Sequence, residues 1–215
     1  ASDVYKRQEQ RYLGIGLSCN IEAGGLGPTE GARVEVTASG GVRVHLGVVD
    51  TGQGHRTSFA QICAGVLGVD IERIEVRSGD TRGVMYSRGT YHSRAAILAG
   101  NAVYSAAKKV RLKIVEFVAN KLGVDPDGLE CIDNSIRSTT EPDKAMTFDQ
   151  CAKLCVPDGS SIQAAVASAG SIVSLPKGVT PGLDASSFET GTSVVWGSAT
   201  HATIVEVDPE LGTFE

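Results

Sequence analysis

The chain has 215 residues, of which 41% are hydrophobic and 21% charged, and a formal charge of −5. This apolar content suffices for a buried core and excludes wholesale disorder, while the acidic balance gives no electrostatic basis for binding nucleic acid or an anionic membrane. No segment approaches the ~20 consecutive apolar residues that a bilayer-spanning helix needs.

Residues Ala1 to Gln10, ASDVYKRQEQ, are polar and without helix or strand periodicity, and they look like a translated cloning adapter. We expect 1–10 to be a non-native leader and the folded chain to run over 11–215. From Tyr12 to Ile21 the apolar and small residues predict a strand covered on both faces, with Gly14 and Gly16 permitting close approach of another backbone. Ala32 to Thr37 alternates apolar and polar residues, Ser39-Gly40-Gly41 supplies a turn, and Val42 to Leu46 returns, which is a hairpin pattern. His45 lies within the return strand with no neighbouring ligand group and is expected to be structural.

The stretch from Val48 to Leu67 couples an apolar strand end to a glycine-rich turn and a helix. Gly52 and Gly54 flank Gln53, and Phe59, Ile62, Cys63, Val66 and Leu67 fall on one helical face. First-turn N–H groups of such a helix have no intrahelical acceptors and carry the positive end of its dipole, so the turn is a candidate anion or cofactor site. The alternative is a strand-to-helix turn that needs left-handed residues and binds nothing. No Lys-Ser or Lys-Thr follows the glycines, which excludes a P-loop.

Leu67-Gly68-Val69-Asp70 predicts a glycine-capped helix end, echoed at Leu122 to Asp125, and Ile74 to Arg77 begins another strand. Ser78 to Ser93 is a glycine-, hydroxyl- and charge-rich loop, and loops of this kind are usually functional or mobile. Ser93 is positioned to cap a long helix with Val103, Ala107, Val110, Ile114 and Phe117 on its apolar face, running to Gly123. Lys108, Lys109, Arg111 and Lys113 on that helix are expected to form a solvated face. Two loops thus feed two helix N-termini, and if these converge they would hold an elongated phosphate-bearing ligand, with Arg94 adding positive charge.

Leu129 to Ser138 is expected to form a strand and turn, and Thr147-Phe148-Asp149-Gln150 reads as a capping box opening a short helix with Phe148, Cys151, Ala152 and Cys155 on one side. Pro157 to Ser186 reads as a connection. Thr192 to Val207 is a strand pattern, turned by Asp208 to Gly212 into a return strand at Thr213. An ending just inside a return strand leaves an unpaired edge, from which we expect the chain to be part of a longer polypeptide. The five cysteines, Cys19, Cys63, Cys131, Cys151 and Cys155, are odd in number and set in apolar patterns, which fits reduced thiols in a reducing, cytoplasmic compartment. Cys151 and Cys155 lack the partner pair that a structural zinc site requires.

Taken in order, Gly52-Gln53-Gly54-His55, Ala60-Gln61-Ile62, Leu67-Gly68-Val69, Ser78-Gly79-Asp80-Thr81, Gly89-Thr90-Tyr91, Ser93-Arg94 and Gly100-Asn101-Ala102-Val103 resemble the large, molybdenum-cofactor-binding subunit of the xanthine dehydrogenase, aldehyde oxidase and aerobic carbon monoxide dehydrogenase enzymes. His201-Ala202, Val205 to Pro209 and Gly212 are similar to the strand and turn that follow in that family. The resemblance covers most of the chain and is to the second molybdopterin-binding domain.

It implies an α+β fold of mixed sheets and hairpins packed against amphipathic helices. It also implies a molybdopterin or molybdopterin cytosine dinucleotide cofactor carrying molybdenum, gripped first by Gly52, Gln53 and Gly54 and second by Thr90, Tyr91, His92, Ser93 and Arg94. His92, where the family often has a small residue, and Ala95 and Ala96, where it often has hydroxyls, depart from the pattern and leave the pterin form open. The metal would be held by its pterin, so His55 and His201 are expected to be structural, and no protein metal ligand is assigned.

For the intact enzyme, the resemblance implies oxidation or hydroxylation of an aldehyde, N-heterocycle or similar small substrate. A glutamate beyond this chain would act as general base, and iron–sulfur clusters and FAD on other subunits or domains would carry electrons away. No catalytic residue is assigned within the chain, which by itself is expected to be inactive. The competing expectation is a non-catalytic α+β binding or assembly module that keeps the scaffold without the cofactor.

Overall fold

The computed structural model describes residues 11–84, 86–155, 182–191 and 194–215. The expected leader and most of the connection expected after Pro157 lie outside the described residues. The chain divides into two compact units, Gly25–Ser193 and a smaller one formed by residues up to Gly24 together with Val194–Glu215.

The larger unit is built on a four-stranded mixed sheet. β2 (Glu30–Val36) and β3 (Val42–Leu46) form the expected hairpin, closed by Thr37 N–H donating to Gly41 O at 2.8 Å. α1 (His55–Leu67) carries the chain from β3 to β4 (Ile74–Ser78), which pairs parallel to β3 with Leu46 opposite Ser78. β8 (Asp184–Glu189) pairs antiparallel to β2, giving the order β4-β3-β2-β8.

α1 and α2 (Gly100–Leu122) contribute to one core with the sheet. Val34, Val36, Val42, Val44 and Leu46 of the sheet are buried with Phe59, Cys63 and Leu67 of α1 and Val103, Val110 and Ile114 of α2. The helical periodicities read from the sequence therefore mark the buried faces. Small residues at Ala99, Gly100, Ala102 and Ala106 let α2 come close to its neighbours, and a Cβ on Gly100 would lie 3.4 Å from Ile62 Cδ1.

Both helices end as the repeated Leu-Gly-Val-Asp predicts. Gly68 (φ 70°) and Gly123 (φ 65°) are left-handed and donate back to Ala64 O and Ala119 O, and each Asp opens a short 3₁₀ turn before a strand. At Gly68 no other residue fits, because a Cβ would lie 2.1 Å from Cys131 O. β5 (Leu129–Ile132), β6 (Ser135–Ser138) and β7 (Ala145–Thr147) form a small antiparallel sheet leading into α3 (Phe148–Cys155). The capping box is present: Gln150 N–H donates to Thr147 Oγ1 at 3.2 Å, and Thr147 N–H donates to Gln150 Oε1 at 3.0 Å.

Two expectations are corrected here. The connection expected to run to Ser186 ends earlier, because Asp184 to Ser186 belong to β8. The basic residues of α2 are also not simply a solvated face: Lys109 Nζ donates to Ser186 O, Lys113 Nζ to Asp184 O and Arg111 Nη1 to Val66 O. The ammonium groups reach edge-strand carbonyls that the sequence pattern had not revealed as a strand.

The smaller unit is a long antiparallel pair, β1 (Tyr12–Gly24) with β9 (Val195–Asp208), extended by β10 (Thr213–Phe214). Leu13, Ile15, Leu17, Cys19, Ile21 and Ala23 alternate onto one face together with Ile204, Ala202 and Trp196 of β9, while Tyr12, Gly14, Gly16, Ser18 and Asn20 share the other with Val207, Val205 and Val195. Most residues of β1 are exposed, where the sequence suggested cover on both faces. Ile15, Leu17, Ile21 and Trp196 are all exposed.

Candidate functional site

Because β3 and β4 are parallel neighbours, their carboxyl ends lie side by side and the loops that leave them start together. Gly79 N–H donates to Leu46 O at 3.0 Å across this junction. The first loop turns at Gly52 (φ 106°) and Gly54 (φ 77°) into α1, and the second runs from Gly79 to Arg94. Thr90 ties them again by donating its hydroxyl to Val49 O at 2.8 Å. Ligands of open α/β sheets bind where such strand ends diverge into loops.

Between the two loops lies a cavity of about 420 Å³ whose walls include Gln53, His55, Phe59 and Ile62 from the first and Thr90, Tyr91, His92, Ser93, Arg94, Ala95 and Ala96 from the second. The two groups of residues singled out in the sequence are thus brought together, with Gly52 and Gly54 as the turn that carries Gln53 to the cavity. His55, expected to be structural, also lines it. Its ring packs on Phe59 with centroids 5.2 Å apart, and its buried Nδ1 has no hydrogen-bond partner among the described residues.

The first loop is electrostatically more complex than an open helix N-terminus. Asp50 Oδ1 accepts from Gly52 N–H at 2.9 Å and Oδ2 from Arg56 N–H at 3.5 Å, so an internal carboxylate already occupies the positive end of α1. The Gly52 hydrogen bond, followed by that from Arg56 and the proximity of His55, holds the Asp50 carboxyl below its ordinary range. Gln53 Oε1 accepts from Thr51 N–H at 2.5 Å and from Thr51 Oγ1 at 3.1 Å, which fixes the amide orientation and leaves its NH₂ as the donor end. This loop suits a neutral hydrogen-bonding edge.

The second loop differs. His92 (φ 48°) and Ser93 (φ 47°) are consecutive left-handed residues, after which a π-helical turn, Ala95–Ala99, runs into α2. Ser93 does not cap this helix: no side-chain cap is made, and its carbonyl accepts instead from Gly25 N–H at 3.3 Å. The capping geometry is lost because Ser93 is itself left-handed, whereas an N-cap is extended. The first N–H groups of the helical run, from Ala95 onward, have no intrahelical acceptor.

Arg94 is fully buried, and its guanidinium donates to Leu26 O, Thr29 O and Gly89 O and pairs with the equally buried Glu30. Its charge is therefore neutralised inside the protein, and it braces the loop from behind. Tyr91 lies over that guanidinium at 4.8 Å from its ring centroid and remains partly exposed, with His92 set edge-on against it. The spacing of the sequence identified the loop but could not show which way Arg94 points.

This geometry agrees with the relationships of the chain. Residues 2–215 match the molybdopterin cofactor-binding domain, and the chain belongs to that family. It is 30% identical to the nicotine 6-hydroxylase large subunit of Paenarthrobacter nicotinovorans over 96% of this chain and 25% of that protein. It is 28% identical to the carbon monoxide dehydrogenase large chain of Afipia carboxidovorans over 98% of this chain and 26% of that one.

Among solved structures, quinoline 2-oxidoreductase from Pseudomonas putida 86 superposes with a TM-score of 0.79 at 25% identity, covering 99% of this chain and 27% of that one. Reconstituted CO dehydrogenase from Oligotropha carboxidovorans gives 0.78 at 27% identity, covering 98% and 26%. The chain thus spans about a quarter of the length of the relatives it matches. The α+β fold expected from the resemblance is the fold observed, and the cofactor class is that of a molybdopterin-binding domain.

Proposed function

We propose that this chain supplies one side of the molybdenum-cofactor site of a molybdenum hydroxylase large subunit, with residues 11–215 as part of its second cofactor-binding domain. The observation that carries the reading is the single cavity walled by Gln53 from one loop and Thr90 to Ser93 from the other. The residues present fit a pterin: the Gln53 oxygen is engaged by Thr51 while its NH₂ has no acceptor among the described residues, and His55 Nδ1 is a buried polar atom that likewise lacks a partner there. In this reading Gln53 and His55 meet a neutral ring edge, while the amides of Ala95 and Ala96, which no carboxylate among the described residues caps, meet phosphate. Asp50 disfavours an anion at the first loop and so orients the ligand. Gly52 and Gly54 keep side chains out of that approach, where a Cβ would otherwise stand in open space at either position.

When bound, the cofactor supplies two-electron redox chemistry, and the protein supplies binding, orientation and exclusion of water. The intact protein would oxidise or hydroxylate a small substrate such as an aldehyde or N-heterocycle, passing electrons to iron–sulfur and flavin partners. The general base and the substrate-selecting residues are proposed to lie outside 1–215.

The test is Gln53→Ala in the full-length protein. We expect bound molybdenum and activity to fall together, with the circular dichroism spectrum unchanged. Full loading of the variant would remove Gln53 from the site, and wild-type protein that takes up no molybdenum would leave the non-catalytic binding module as the better account.

A further inference from the structure

Glu30 and Arg94, both with side chains fully buried, form an ion pair at the back of the second loop. Burying two charges is rarely the most stable solution, since apolar residues of similar volume often serve as well. What an apolar pair cannot do is orient polar backbone. Here the guanidinium fork fixes the carbonyls of Leu26, Thr29 and Gly89, and the carboxylate accepts from Ser87 Oγ at 2.6 Å and from Arg88 N–H at 2.8 Å. The middle of the cavity loop, at Ser87 to Gly89, and its end at Arg94 are thereby tied to the Leu26 to Glu30 segment and to each other.

The packing leaves no slack. A Cβ on Gly27 would lie 2.9 Å from Arg94 Nε and 3.2 Å from the Tyr91 hydroxyl, and one on Gly31 would lie 2.9 Å from Tyr86 O. Directly beside this anchor stand His92 and Ser93, two successive non-glycine residues in the left-handed region, a conformation that persists only where the surroundings impose it. These two residues turn the chain so that Ser93, Ala95 and Ala96 form cavity wall.

We propose that the Glu30–Arg94 pair is a positioning device: it imposes the left-handed turn at His92–Ser93 and so sets the aim of the ligand-facing loop, acting through loop shape and not through contact of its charged groups with the ligand. The value of the site for a ligand rests on the cofactor reading above, whereas the control of loop shape does not.

The experiment compares wild-type, Glu30→Gln and Ser87→Ala full-length protein. In protein produced without molybdopterin, hydrogen exchange of the amides of residues 88–96 should accelerate about tenfold or more in Glu30→Gln, while the central amides of β3 and α2 exchange as in the wild type. Uniform acceleration across the whole unit, or none, overturns the proposal, because a merely stabilising pair would act through global unfolding.

Ser87→Ala removes the 2.6 Å bond to Glu30 and the 3.2 Å bond that Ser87 Oγ accepts from Gly89 N–H while retaining the pair, so it decides the question if Glu30→Gln does not fold: an acceleration of about threefold is expected at residues 90–96, beyond the Gly89 amide itself, and unchanged exchange there overturns the proposal. In protein produced with molybdopterin, pterin bound per folded chain should fall about tenfold in Glu30→Gln. Full loading of that variant beside a loaded wild type overturns the positioning role and leaves the cofactor reading standing. An unloaded wild type overturns the cofactor reading, and the exchange pattern still decides the loop.

Discussion

At the scale of single residues, environment separates side chains that the sequence presents as equals. Cys63 is buried in the core, and its thiol is pushed up to about 12 by burial, so it is chemically silent. Cys19 lies exposed on β1. We expect a thiol reagent at neutral pH to modify Cys19 rapidly and Cys63 only after denaturation, as peptide mapping would show. Cys151 and Cys155 lie 3.9 Å apart, and shared hydrogen bonding together with burial raises the Cys151 thiol.

Asp50 titrates in the opposite sense. Its folded-state value is depressed by the Gly52 hydrogen bond, so its contribution is complete above the ordinary aspartate range and is lost as pH falls through the lowered value. Protection factors for the Gly52 and Arg56 amides should therefore persist through the ordinary aspartate range and collapse only at a pH below it. Asp50→Asn should abolish that pH dependence. Asp50 was not singled out from the sequence: an aspartate two residues before a glycine is a local Asx pattern, but its place at the N-terminus of α1 appears only in the fold.

At the scale of elements, helix ends and periodic faces were the most legible features, because capping and amphipathicity are local. Gly68 illustrates the added tertiary demand, since it needs both a positive φ and room for Cys131 O. Gly68→Ala should cost about 1–3 kcal/mol or more in chemical denaturation, since strain and overlap act together. Ile114, almost wholly buried on α2, should cost about 2–5 kcal/mol when truncated to alanine.

β8 was not legible. Its sequence, Asp-Ala-Ser-Ser-Phe-Glu, has little strand propensity, and it is held by pairing with β2 and by lysine donors from α2, partners distant in sequence.

At the scale of the whole molecule, the two units differ in how their apolar surface is used. The larger has a continuous core, whereas the smaller is a ribbon of two long strands with a short third and an exposed apolar face. Ribbons of this kind are marginal in water by themselves. In the isolated 215-residue chain we expect fast hydrogen exchange throughout β1 and β9 and strong protection of β2, β3 and α2, and comparable protection in both units would refute the division.

The sequence by itself determined the glycine turns, the faces of the helices and the loops that carry the candidate site, since each depends on residues within a few positions of one another, and it determined the family through the order of such local motifs along the chain. Only the tertiary structure decided that β3 and β4 run parallel and bring the two loops to one cavity, and that Arg94 turns inward to Glu30, 64 residues away in the chain. Strand pairing and the compensation of a buried charge are settled by long-range partners, and no local pattern encodes which partner will be there.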